Sequence, residues 1–146
     1  MAKIIKPHER LSIIKQTISK KKSQQDLQKE GYLTISFRHL DKTQGNSLYE
    51  WEQNIQLAHT IEVLAGYCND TVLNQTDGKK FTIYGNFPPP EKTDFFFPKH
   101  IPEDAEWARI HINGLQCVVG HIVNNVFYIV FLDGSHKFWK SKLKNT

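Results

Sequence analysis

A chain of 146 residues with 39% hydrophobic and 23% charged residues fits one globular domain with a real core and excludes a disordered chain. Cys68 and Cys117 lie far apart with no CxxC partner, so a disulfide framework is not expected, and no apolar run approaches the roughly 18 residues of a membrane span. The formal charge of +4 suits an anionic partner, and with no apolar stretch behind the basic N-terminus the expected location is cytoplasmic.

The first thirty residues read as a basic helical arm. Pro7 suits a first turn, Leu11, Ile14 and Ile18 recur at three-to-four spacing, and Lys20, Lys21 and Lys22 interrupt the stripe before Gly31 closes it. This arm (1–30) carries eight Lys/Arg against three acids, the stretch 31–105 carries six against ten, and 106–146 carries five against two. Positive ends around an acidic middle either meet a polyanion on two sides or serve as soluble ends. The remaining residues, 31–146, read as one α+β domain.

Within it, Tyr32 to Leu40 alternates as a strand, with Leu33, Ile35 and Phe37 on one face. Ser47 and Glu50 form a capping box that opens a long helix whose inner face is Leu48, Trp51, Ile55, Ala58, Ile61 and Ala65. Asp70 is placed to cap a short helix running through Leu73. Lys80 to Phe87 is strand-like. The stretch 87–105 is irregular, because Pro88, Pro89 and Pro90 cannot join a sheet interior and Pro98 follows Phe95, Phe96 and Phe97. Three consecutive aromatics in a loop either plug the domain's own surface or meet a protein partner. Glu106 to Asn113, Leu115 to Val123 and Val126 to Leu132 then form a meander. Asn113-Gly114 and Asn124-Asn125 supply its tight turns.

No P-loop, GxGxxG, GxSxG, HExxH or EF-hand pattern is present, and the seven histidines share no short ligand spacing. The expectation is therefore no metal and no cofactor. In EWARIHIN, alternation puts Ala108, Ile110 and Ile112 on one face and Trp107, Arg109, His111 and Asn113 on the other. The second set combines a stacking ring, a guanidinium and an imidazole, the groups that hold RNA and move protons. The last strand runs through an apolar segment into Asp133-Gly134-Ser135, then His136, Lys137 and Trp139. An imidazole at that exposed end is suited to acid–base work.

One strand, two helices and a meander ending in this cluster resemble the RelE/ParE/HigB superfamily of bacterial toxins. The resemblance is carried by RIHI (Arg109 to Ile112), QCVVGHIV (Gln116 to Val123), VFYIVFLDGSHKFW (Val126 to Trp139) and the basic tail. It implies a RelE-like fold and a small metal-independent endoribonuclease that cuts mRNA, usually ribosome-bound, and is restrained by an antitoxin. It also implies His136 as acid or base, Arg109 and Lys137 as phosphate ligands, and His111 or His121 as a second proton-transfer group. Trp107 or Trp139 would be a stacking surface. Apart from the resemblance, Lys20, Lys21, Lys22 and Lys140 are the candidate contacts to a nucleic-acid backbone, and Phe95, Phe96 and Phe97 to a protein partner. Two alternatives stay open. One is a noncatalytic nucleic-acid-binding or protein-interaction subunit of a defence or mobile-element complex, and the other is a small-molecule enzyme with the aromatic insertion as a lid.

Overall fold

The computed structural model describes residues 31–54 and 56–140. The basic arm, with Lys20, Lys21 and Lys22, lies outside the described residues, as does Ile55. The described elements are β1 (Thr34–Ser36), α1 (Leu48–Gln53), α2 (Gln56–Tyr67), α3 (Val72–Gln75) and β2 (Phe81–Gly85). A 3-10 turn (Pro90–Lys92), β3 (Glu106–Asn113), β4 (Gln116–Val123) and β5 (Val126–Asp133) follow. The architecture is α+β. None of these helices is long and apolar enough to cross a membrane.

The strands form one mixed sheet in the order β1-β5-β4-β3-β2. From β2 to β5 it is an antiparallel meander, and β1 joins β5 in parallel, with Ile35 opposite Phe127. Positive φ at Gly114 (55°) and Asn124 (56°) lets the two hairpin turns follow the sheet's twist, as their sequences predict. Gly120, in the central strand β4, is required by close approach, since a Cβ there would collide with the carbonyl oxygen of Tyr128.

Three expectations are corrected. The first strand is only three residues long, and Phe37 beyond it is exposed. The long helix is two helices. Its capping box forms, with the Glu50 amide donating to Ser47 Oγ at 3.0 Å, but the chain leaves helical geometry at Asn54. That break resets the phase, so α2 buries Thr60 and Leu64 while Ala58, Ile61 and Ala65 face outward. Thr71, not Asp70, caps α3, accepting from the Asn74 amide at 3.2 Å.

The sheet is covered on both faces. One face carries Ala108, Ile110, Ile112, Val118, Ile122, Phe127, Ile129 and Leu132 against Trp51, Leu64 and Val72 of the helices. The opposite face, to which alternation assigns Trp107, Arg109 and His111, carries a second core of Phe95, Ile101, Trp107, Cys117, Val119, Phe131 and Phe138. The irregular 87–105 stretch and the chain after β5 fold over it. Trp107 lies in an aromatic cluster with Phe87, Phe131 and Phe138, with ring centroids 5.0 to 5.8 Å away.

Candidate functional site

Strand register lays the second face out in rows. Trp107, His121 and Tyr128 form one row, Arg109, Val119 and Phe131 the next, and His111, Cys117 and Asp133 the last. The middle of this face is sealed by aromatic rings, so its polar chemistry gathers at the two ends. The expected candidates divide accordingly.

At the His111 end, Asp133 is buried and accepts three hydrogen bonds. Two come from the backbone amides of Lys137 (3.0 Å) and Phe138 (2.9 Å), and the third from the Cys117 thiol (3.6 Å). Burial, and then the Asp133 charge, push the Cys117 thiol up, so it stays protonated and donates. The carboxylate therefore folds residues 134–138 into a tight reversal. His136 sits at its apex with φ 57°, a left-handed conformation that costs a non-glycine residue about 1 kcal/mol. The reversal drives Phe138 into the second core and lays Trp139 over Tyr84, with centroids 4.6 Å apart and planes within 16°. Tyr84 Oη in turn accepts from Arg109 Nε at 2.5 Å.

Arg109, His111, His136, Tyr84 and Trp139 thus share one partly exposed end of the sheet. Desolvation lowers the pKa of His111, and the charges of Arg109, Lys80 and His136 lower it further. Lys80 comes close because its carbonyl accepts from the His111 amide at 2.7 Å, extending the β2–β3 pairing. The site is cationic, with one imidazole biased toward its neutral form and an arginine fork steadied by a phenol. Such a set suits an anionic ligand that accepts hydrogen bonds, with an imidazole at hand for proton transfer.

Other expected residues lie elsewhere. Trp107 is wholly buried and has no free face for a base. His121 is 1% exposed and belongs to the opposite end, where His39 Nδ1 and His121 Nε2 lie 2.9 Å apart in nearly coplanar rings. His39 also stacks on Tyr128 at 4.3 Å, and His100 Nε2 contacts the His39 carbonyl oxygen at 2.7 Å. His121 is thereby separated from the Arg109–His111–His136 group by the sealed aromatic centre. Lys137 is exposed beside His136, whereas the Lys140 ammonium is engaged by Asp94 at 2.7 Å and ties the segment after β5 to the aromatic loop. Phe95 is buried against Phe131, Phe97 lies edge-on to Phe87 and Trp107, and Phe96 is 80% exposed. Among the described residues, no group of three or more His, Cys, Asp and Glu side chains is arranged to hold a metal ion.

The chain matches no family model, no curated protein and no solved structure. Its functional reading therefore rests on geometry. Sequence reasoning missed Tyr84, although alternation along KFTIYGNF puts Thr82 and Tyr84 opposite Phe81 and Ile83. It missed His39 too, because no local pattern marks a loop imidazole that meets a strand 82 positions away.

Proposed function

We propose that this chain binds single-stranded RNA at the Arg109–His111–His136 end of the sheet and cleaves it without a metal. The reading takes the fold as RelE-like, with the protein working in the cytoplasm on mRNA and held in check by an antitoxin-type partner. One observation supports it above the others: His136, 25 or more positions further along the chain, joins Arg109 and His111 of β3 at one partly exposed cationic patch beside the Tyr84–Trp139 stack. Tyr84, Trp139 and Arg109 supply the stacking and phosphate-binding groups that single-stranded RNA engages.

The chemistry follows from the His111 bias. The neutral His111 imidazole takes the proton of a ribose 2′-hydroxyl, whose oxygen attacks the adjacent phosphorus. His136 gives a proton to the departing 5′-oxygen as the P–O5′ bond breaks, leaving a 2′,3′-cyclic phosphate. Arg109 holds the extra negative charge of the transition state, and Lys137 adds to the field.

The test is induced expression in bacteria together with RNA cleavage by purified protein, comparing the native chain with Arg109→Ala and His136→Ala. Growth arrest and cleavage, each reduced by on the order of 10²- to 10³-fold in both folded variants, are expected. Folded native protein that binds RNA through Arg109 without cutting it would move the reading to a noncatalytic RNA-binding module. Protein that neither binds nor cuts RNA would overturn it.

A further inference from the structure

A cleft of about 430 Å³ lies between the 43–46 loop, the aromatic loop and residues 132–137, beside the His136 turn. Its size suits one nucleotide-sized ligand. Phe96 lines it and is 80% exposed. The ring's backbone is held from both sides by a single side chain. Gln44 Oε1 accepts from the Phe96 amide at 2.7 Å, and Gln44 Nε2 donates to the Phe96 carbonyl at 2.9 Å. Gln44 Nε2 also donates to Asp41 Oδ2 at 2.9 Å, and Asp41 is itself fixed by Thr43. The exposed ring is therefore presented on an anchored backbone, with its ordering cost already met by intramolecular bonds.

The remaining walls are mixed, with Phe95 and Leu132 beside the carboxylates of Asp94 and Asp133. Ser135 and Lys137 line the cleft one residue to either side of His136, and the Asp94 carboxylate that also lines it is neutralised by Lys140 at 2.7 Å. An exposed ring that shares a cleft with a lysine and a serine has the composition of a base-and-phosphate subsite, the lysine serving the phosphate and the ring the base. The geometry points to Phe96 as a base-stacking platform for the nucleotide next to the scissile phosphate, with Lys137 on its phosphate. This inference rests on the RNA reading above and extends it to a second subsite.

Fluorescence anisotropy with a labelled, 2′-O-methylated single-stranded hexanucleotide tests it on the full chain. Phe96→Ala, at an exposed position, is expected to weaken binding roughly five- to 100-fold. Phe96→Trp should keep affinity, and its added emission should be quenched when the RNA binds. Native-like affinity in Phe96→Ala with weakened binding in Arg109→Ala would overturn the subsite and leave the RNA reading standing. No RNA binding by the native chain would remove both. Loss of a co-purifying protein on Phe96→Ala, with RNA affinity unchanged, would assign the ring to a protein interface instead and refute the subsite.

Discussion

Acidification should destabilise this fold through His121, and the structure gives the size of the effect. His121 is 1% exposed, its Nε2 is engaged by His39, and its Nδ1 has no partner among the described residues. Desolvation lowers its pKa most, and the charges of His39 and His100 add to it, bringing the value to about 4 from an ordinary 6.5. His39 shifts the same way, through its own desolvation, Arg38 and His100. A first proton on the pair is compatible with the N–H···N bond, but a second removes the only lone pair that can accept it. Neutral His121 is thus the folded form, while the unfolded chain binds a proton near 6.5. The contribution is complete above that pH and is lost progressively as the pH falls toward 4. A depression from 6.5 to about 4 corresponds to roughly 3 kcal/mol, a large part of a small domain's stability. Urea denaturation at stepped pH, on the native chain and on His121→Gln, measures it. Glutamine can accept the His39 hydrogen bond and does not titrate. The variant should lose about 3 kcal/mol less than the native chain between pH 7 and pH 4. Equal losses in the two proteins, or an NMR titration of His121 near its ordinary value, would refute the argument.

Two further outcomes follow from the turn after β5. Asp133→Ala removes the acceptor of two backbone amides and one thiol, all in or beside the second core, and should cost about 2–4 kcal/mol by denaturant unfolding. It should also quench activity by releasing His136, whereas Cys117→Ser, which can still donate to Asp133, should cost much less. His136→Gly should fold and hold or gain up to about 1 kcal/mol, because glycine adopts φ 57° without strain, offset in part by its freedom when unfolded. The same variant should lose RNA cleavage. A glycine variant that unfolds at lower denaturant and keeps full activity would separate His136 from both roles.

The sequence by itself determined the C-terminal half of this protein closely. Period-two alternation and the Asn113-Gly114 and Asn124-Asn125 turns are local signals, and β3, β4 and β5 form where they indicate. The Ser47–Glu50 capping box is equally local and sets the start of α1. The helix face beyond it was not legible, because the interruption at Asn54 resets the phase downstream and no propensity marks it strongly. Alternation also separated Ala108 and Ile110 from Trp107 and Arg109 correctly, but it could not say whether the second set met water. Only tertiary structure decided that. The chain after β5, turned back by Asp133, and the aromatic 87–105 stretch both return to cover that face, burying Trp107 and His121 and leaving Arg109, His111 and His136 at its rim. Strand periodicity fixes which residues share a face, whereas burial depends on segments far away in sequence that pack upon it. The candidate site therefore came from pairings across the sheet, with Tyr84 reaching Arg109 over 25 positions, a relation that periodicity within one strand does not encode.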